Sequence, residues 1–125
     1  MNAMDKVQAI HNFWSRFLTA YNKDTVPPDA EMPYITYSVA TDSIGTVVNM
    51  TATLWYHTDS WREITAKVEE IGEYIVKMYP PCIKLDHGRL YIAKGKPFAQ
   101  SRDDPYDRSI RRYDINIQAE FQTYF

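Results

Sequence analysis

The sequence predicts an α+β domain in which two helices pack on one face of a mostly antiparallel sheet of about five strands. Two segments repeat apolar residues at steps of three and four, which is typical of amphipathic helices. Five other segments are rich in β-branched and aromatic residues, which is typical of strands. The chain has 125 residues, a length that predicts one domain, residues 1–125, able to form a core without disulfide or metal.

The first helix is predicted over residues 5–21. Its apolar residues recur at steps of three and four and define one face: Val7, Ile10, Phe13, Trp14, Phe17, Leu18 and Tyr21. The following stretch, "NKDTVPPDAEMP", contains three prolines. Proline lacks the amide proton that a helix needs, so this stretch predicts a connecting loop.

A first hairpin is predicted from Tyr34–Ala40 and Val47–His57. The segment "TDSIGT" between them offers a turn, with Gly45 available for positive φ. In the second strand, apolar and polar residues alternate, so one face is expected to be buried and the other polar. Trp55 is the exception on the polar face.

The second helix is predicted to begin at "SWRE", residues 60–63. This is a capping-box pattern, in which Ser60 accepts from the Glu63 amide and the Glu63 side chain reaches back to the Ser60 amide. Pro80 and Pro81 are expected to end the helix. Its apolar stripe consists of Ile64, Val68, Ile71, Ile75 and Met78.

A second hairpin is predicted in "CIKLDHGRLYIAKG", with its turn at Asp86-His87-Gly88. An irregular stretch is expected from Gly95 to about Ser109. The last strand has the clearest pattern, because apolar and polar residues alternate strictly from residue 113 to residue 122.

Charge and hydropathy exclude several classes of partner. The 14 Lys and Arg against 16 Asp and Glu give a formal charge of −2, which disfavours nucleic-acid binding. No apolar stretch has the length of a signal peptide or a membrane span, so a cytoplasmic protein without a membrane partner is expected. The sequon at Asn49 is then a chance match. The ten Tyr, five Phe and three Trp fit a core and, in part, a protein interface.

The segment "DDPYD", residues 103–107, matches the magnesium-binding pattern of prenyl-diphosphate enzymes. Those enzymes are much larger and helical, and their motif requires Asp103, Asp104 and Asp107 on one helix face. Pro105 pushes Asp104 towards extended geometry and breaks that face. A solvated acidic loop is therefore the expected structure, with no metal.

Other candidate chemistry is also weak. "HTDS", residues 57–60, places His57, Asp59 and Ser60 side by side, but the side chains of a nucleophilic triad converge in space from distant segments. The single Cys82 has only Asp86 and His87 nearby, too few ligands for tetrahedral zinc. The chain has four glycines and no phosphate-binding motif. No catalytic residue, cofactor or metal site is therefore predicted.

A cluster of arginines and aspartates remains in "QSRDDPYDRSIRR". Arginine pairs bidentately with carboxylates, inside a chain or across an interface. The sequence leaves open whether the cluster is a self-neutralising surface loop or an intersubunit contact. Its members are Arg102, Asp103, Asp104, Asp107, Arg108, Arg111 and Arg112.

Three stretches taken together resemble the small tail-terminator or neck (head-tail joining) proteins of long-tailed phages and prophages of low-GC Gram-positive bacteria. They are "MPYITYSVATDSIGT", "LWYHTDSWREITAKVEEI" and "GRLYIAKGKPFAQSRDDPYDRSIRRYDINIQAEF", and they cover the chain roughly from Pro33 to Phe121.

The resemblance implies a non-enzymatic structural protein whose copies, typically six, form a ring. The ring would cap the tail tube and present a surface to the head connector, so the partners would be the protein itself, the tail-tube protein and the connector protein. Assembly would occur in the host cytoplasm, and the product would be part of the virion tail and neck. The interface residues would be Trp55 and the cluster from Arg102 to Arg112.

Two other classes compete with this expectation. One is a small enzyme or ligand-binding domain that uses the aspartates and arginines of the cluster as its site. The other is an adaptor that recognises a peptide by adding it as a strand to its sheet.

Overall fold

The computed structural model describes residues 5–39, 47–78 and 81–123. These residues form an α+β fold with two helices and a mixed six-stranded sheet, rather than the five strands expected. In chain order the elements are α1 (Lys6–Ser15), β1 (Ala20–Asn22), β2 (Tyr34–Tyr37), β3 (Val47–His57), α2 (Arg62–Lys77), β4 (Cys82–Leu85), β5 (Gly88–Asp103) and β6 (Ile110–Thr123).

The strand order across the sheet is β1-β2-β3-β6-β5-β4. Only the β1–β2 pair is parallel, and the other four pairs are antiparallel. The long strands β3, β6 and β5 lie at the centre. The predicted pairing of Tyr34–Ala40 with Val47–His57 is confirmed for β2 and β3, whereas the predicted turn at Gly45 lies outside the described residues.

Helix α1 is shorter than predicted. Asp5 caps it by accepting from the Gln8 amide at 2.7 Å, and the helix ends at Ser15 rather than at Tyr21. Tyr21 belongs instead to β1, which pairs with β2. Pairing with a neighbouring strand here outweighs the local helical periodicity, which Phe17, Leu18 and Tyr21 continue beyond the end of α1.

Helix α2 begins one residue later than the capping box predicts. Its N-cap is Trp61, which makes no side-chain capping bond. The Ser60 hydroxyl accepts from the Arg62 amide at 3.1 Å, so the predicted bond from the Glu63 amide is wrong. The helix ends at Lys77, before the prolines, of which Pro80 lies outside the described residues.

Strand β5 is much longer than predicted. The β4–β5 hairpin turns at Asp86-His87, and Gly88 takes a φ of 146° that glycine adopts without strain. The strand then continues to Asp103, so the irregular stretch expected from Gly95 to about Ser109 is wrong up to Asp103 and confirmed for residues 104–109. Its pairing with β6 shifts register between Lys94 and Ala99, a bulge that leaves one continuous but bent strand.

The apolar residues of both helices form one buried cluster with one face of the sheet. That face is contributed by alternate residues of each strand, as the strict alternation in β6 predicts. We call the opposite surface the far face. It carries Thr36 of β2, Thr51, Thr53 and Trp55 of β3, Arg112, Asp114 and Asn116 of β6, and Gln100 and Arg102 of β5.

Candidate functional site on the far face of the sheet

Trp55 lies at one end of an aromatic strip on the far face. Its indole Nε1 donates to Thr36 Oγ1 at 2.9 Å, and the Arg112 guanidinium lies over its ring at 4.9 Å from the centroid. The Tyr34 ring lies 6.2 Å from Trp55, and the Tyr21 ring lies 5.6 Å from Tyr34. Burial raises the pKa of the Tyr34 phenol, and the nearby Tyr21 adds to this effect.

Arg112 joins this strip to the loop between β5 and β6, residues 104–109, which we call the β5–β6 loop. Its Nη2 donates to the Asp103 carbonyl at 3.2 Å, and its Nε lies 3.8 Å from Asp104 Oδ2. The contact with Asp104 is an ion pair, but its distance is too long for a hydrogen bond. The buried Nε therefore has no hydrogen-bond partner. The side chains of Arg112 and Asp104 are only 13% and 10% exposed.

Two further rows of polar side chains cross the far face. Asp114 accepts from Thr53 Oγ1 at 2.9 Å and pairs with Arg102 Nε at 3.3 Å. Asn116 accepts from Thr51 Oγ1 at 2.7 Å and donates to the Pro97 carbonyl at 2.9 Å. These cross-strand contacts fix the side-chain positions, so the far face is an ordered polar surface.

The β5–β6 loop is held by its own aspartates. Asp104 Oδ1 accepts from the amides of Tyr106 and Asp107 at 2.8 and 3.0 Å, a turn that Asp favours. Asp107 Oδ1 accepts from the Ser109 amide and hydroxyl at 2.8 and 2.6 Å. These bonds place the Tyr106 side chain at the tip of the loop, where it is 95% exposed.

This loop geometry accounts for the "DDPYD" motif. Asp104 and Asp107 each direct one carboxylate oxygen to backbone amides of their own loop, not to a shared centre outside it. Among the described residues there is no group of three His, Cys, Asp or Glu side chains that could hold a metal ion. A cavity of about 480 Å³ beside the loop is lined by charged residues that include Arg108 and Arg111.

Ser109, His57 and Asp107 lie in contact here. This is not the set His57, Asp59 and Ser60 that is adjacent in sequence. Ser109 Oγ contacts Asp107 Oδ1 at 2.6 Å and His57 Nε2 at 3.1 Å. In a nucleophilic triad the carboxylate orients the imidazole, whereas here it takes the hydroxyl bond itself. The hydrogen bonds from Ser109 lower the pKa of Asp107, which makes its carboxylate a weak base. The Ser60 hydroxyl instead accepts from the Arg62 amide at the start of α2.

Arg111 points away from the far face, as its position next to Arg112 in a strand predicts. Its guanidinium lies 5.2 Å from the Trp61 ring centroid, and its two terminal nitrogens donate to the carbonyls of Asp59 and Arg108 at 3.1 and 3.0 Å. The predicted cluster is therefore divided between two faces. Arg102 and Arg112 lie on the far face, and Arg111 anchors the loop to the start of α2.

The sequence did not single out Tyr106 or Ser109. The only signal for Tyr106 is its place after Pro105 in an aspartate-rich turn, where an exposed side chain is expected. No sequence signal brings Ser109 to His57, because their contact depends on the register that pairs His57 with Ile110.

No model of a known protein family matches the chain, and a search of curated proteins finds no significant relative. Among the described residues, no helix is long and apolar enough to cross a membrane.

Proposed function

We propose that the protein is a structural subunit of a phage or prophage tail. Copies would assemble into a ring, a hexamer by the resemblance given above, that caps the tail tube and joins it to the head connector. The observation that carries this proposal is the far face, a broad surface of fixed aromatic and charged side chains that neither helix covers. The far face would contact the tube or the connector, and the β5–β6 loop would contact the neighbouring subunit.

The composition of the far face supports an interface. Trp, Tyr and Arg are the residues that contribute most to binding energy at protein interfaces, and Trp55, Tyr34 and Arg112 lie in contact there. Holding side chains in place before association reduces the entropy lost on binding. The contacts from Thr36 to Trp55 and from Thr53 to Asp114 have this effect.

The chemistry of the β5–β6 loop favours this role over a small enzyme. A general base needs a carboxylate or imidazole with a pKa near the working pH. Here the hydrogen bonds from Ser109 lower the pKa of Asp107, and Asp104 is occupied by two backbone amides and Arg112.

One observation favours the adaptor as a second candidate. Strand β4 pairs with β5 only as far as Tyr91, so among the described strands none covers the outer edge of β5 from residue 93 to residue 103. Such an edge accepts an added strand. In this second proposal, a peptide would bind there as a seventh strand.

Assembly state separates these proposals. We expect monomers or weak oligomers in dilute solution, and closed rings either at high concentration or at the ends of tubes formed by the tail-tube protein from the same genome. Sedimentation velocity measures the mass, and electron microscopy detects rings and capped tubes. A protein that stays monomeric up to about 1 mM, where a contact with a Kd of 1 mM would be well populated, and that leaves tubes uncapped would contradict the proposed function.

The surface involved can be tested with charge variants. Thr51 is an exposed far-face residue, and Ala66 is an exposed residue of α2 on the other side of the sheet. We expect Thr51→Lys to abolish tube capping and leave the monomer folded, whereas Ala66→Lys, the same charge added on α2, should keep capping. Equal capping by both variants would remove the far face from the proposal.

A further inference from the structure

Two features remain outside the role assigned to the far face. One is Tyr106, whose side chain is the most exposed of the large hydrophobic residues described. The other is an open groove between α2 and β5, on the helix side of the sheet. The groove has a volume of about 400 Å³ and is lined by Val68, Glu69, Gly72, Glu73, Val76, Lys77, Lys94 and Phe98.

The bulge in β5 creates this groove. The strand leaves its register with β6 between Lys94 and Ala99, and Phe98 lies against α2 at the position of Gly72, where an added Cβ would be 3.2 Å from the Phe98 ring. The Lys94 ammonium lies 4.9 Å from the centroid of the same ring. Val76, which is 61% exposed, forms part of the other wall. The groove therefore offers an aromatic and aliphatic surface beside a cation.

We propose that the β5–β6 loop of one copy inserts Tyr106 into the α2–β5 groove of a second copy. This contact would join neighbouring subunits of the ring, so the inference rests on the proposed function. In this contact Tyr106 is the knob and the α2–β5 groove receives it, so two different surfaces of the same chain are used.

The two surfaces are complementary in chemistry. An aromatic side chain with a polar tip suits a groove that is lined by both apolar and charged side chains. Asp103 at the end of β5 and Asp107 in the β5–β6 loop lie on either side of Tyr106 in sequence, and the groove presents Lys77 and Lys94. Opposite charges across a contact guide encounter and fix its register.

The arginine next to the tip completes this match. Arg108 is exposed in the β5–β6 loop, and Glu69 and Glu73 line the groove. Each surface therefore carries both signs of charge, so a wrong register would place like charges together, which is unfavourable.

The loop cannot fill the groove of its own chain. Phe98 and Asp103 are five residues apart on β5, which corresponds to about 16 Å along a strand. From Ala99 to Asp103 that strand is paired with β6, and the bonds to Asp104 and Arg112 hold the loop at its end. Tyr106 can therefore meet this groove only in another molecule.

When two copies associate through two different patches, the resulting complex still has one free patch of each kind. Such head-to-tail contacts continue until they close a ring or extend as a filament, whereas a contact between identical patches stops at a dimer. The knob-and-groove contact would thus allow assembly beyond a dimer by a single type of contact.

Cross-linking tests the contact directly. The only cysteine, Cys82, is replaced by Ser, and one cysteine is introduced per variant, as Arg108→Cys in the loop or Glu73→Cys at the groove. With a short bis-maleimide, the mixed pair should give cross-linked dimers, and each variant alone should give none. Asp29→Cys, an exposed position in the loop before β2, replaces Arg108→Cys in the control mixture and should give no product.

Substitutions give a second measurement that does not depend on cysteine chemistry. Tyr106→Ala and Val76→Asp should each weaken self-association by about tenfold or more, as expected for central contacts, and leave the circular dichroism spectrum unchanged. Tyr106→Phe should retain most of the self-association. Val7→Asp is the matched control, since Val7 is 53% exposed on α1 and outside the groove, and it should assemble normally.

The outcomes separate this inference from the proposed function. Rings that form without the mixed cross-link, and that persist in Tyr106→Ala and Val76→Asp, would overturn the knob-and-groove contact and leave the ring proposal standing. Cross-linked dimers from Arg108→Cys alone would indicate contact between identical patches and also overturn it. A wild-type protein that forms no ring under any condition would overturn the proposed function itself.

Discussion

The guanidinium of Arg112 lies over the indole ring of Trp55, with its central carbon 4.9 Å from the ring centroid. The same side chain pairs with Asp104 and donates to the Asp103 carbonyl. Arg112 therefore links β3, β6 and the β5–β6 loop, and it is 13% exposed. A residue of this kind contributes to the fold of one chain even if it also borders an interface.

Arg112→Ala should lower the free energy of unfolding by about 1–3 kcal/mol. The variant loses a cation–π contact of about 0.5–1 kcal/mol and leaves the largely buried Asp104 carboxylate without its ionic partner. Arg112→Lys should restore only part of the loss, because an ammonium lacks the planar fork of guanidinium. Urea denaturation measures the effect. Arg108→Ala, at an exposed position, is the control and should stay within about 0.5 kcal/mol of wild type; an equally small effect of Arg112→Ala would contradict the prediction.

Gly95→Ala should destabilise the protein by roughly 1–3 kcal/mol, as expected for overpacking. A Cβ at Gly95 would lie 2.7 Å from Asn116 Cβ and 2.9 Å from the Asn116 carbonyl carbon, so backbone would have to move. The control is Gly72→Ala, whose Cβ would meet only the Phe98 and Lys94 side chains, at 3.2 Å or more. Thermal unfolding should show a clear loss for Gly95→Ala and a smaller change for Gly72→Ala. The reverse order would mean that the bulge tolerates a side chain.

The sequence predicted those elements whose pattern is long and local. β6 alternates from residue 113 to residue 122, and its inward residues Ile115, Ile117, Ala119 and Phe121 are fully buried. β1 was missed because it has three residues and is defined by its parallel pairing with β2, which no local pattern reveals. The end of β5 was missed because its bulge shifts the alternation.

The candidate site was predictable only in part, for the same reason. Trp55 stood out because it breaks the polar face of an alternating strand, and it does lie on the far face. Its neighbours depend on strand order, which brings Arg112 of β6 next to it and Arg102 of β5 beyond that. The α2–β5 groove depends on both the bulge and the helix position, so no single segment of sequence encodes it.

Ser60→Ala should cost about 0.5–1 kcal/mol of stability. The Ser60 hydroxyl accepts from the Arg62 amide, one of the amides that a helix start leaves without an intrahelical partner. Ser60→Asn should retain most of the stability, since Asn also serves at helix starts. Chemical denaturation with circular dichroism measures both. A variant that folded as stably as wild type but lost tube capping would instead assign Ser60 to the interface.

Added magnesium, zinc or EDTA should leave the melting temperature unchanged. The carboxylates of "DDPYD" are bonded to their own loop, and a metal stabilises a protein only if the folded state offers it a better site than the unfolded state does. Differential scanning fluorimetry with stoichiometric and excess metal provides the measurement. A rise of several degrees at stoichiometric metal would restore the aspartates as a metal site.

The carboxyl group of Asp107 should titrate below its ordinary range, and Ser109 should be the main cause. The Ser109 hydroxyl and amide both donate to the carboxylate, and the nearby His57 lowers the pKa further. Because the folded-state pKa is depressed, the stability that Asp107 contributes is complete above its unfolded-state pKa. It is lost as the pH falls through the folded-state pKa.

Ser109→Ala removes the hydroxyl donor and keeps the amide donor, so the pKa of Asp107 should rise but remain below its ordinary value. His57→Ala should raise it less, since the charge of His57 acts more weakly than the hydrogen bonds. Carboxyl carbon NMR across the acid range measures the midpoint in each variant. Ser101→Ala, an exposed serine of β5, is the control and should leave it unchanged. If Ser109→Ala and wild type share one midpoint, the bonds from Ser109 do not hold the carboxylate in solution, and the loop that presents Tyr106 is less fixed than its geometry indicates.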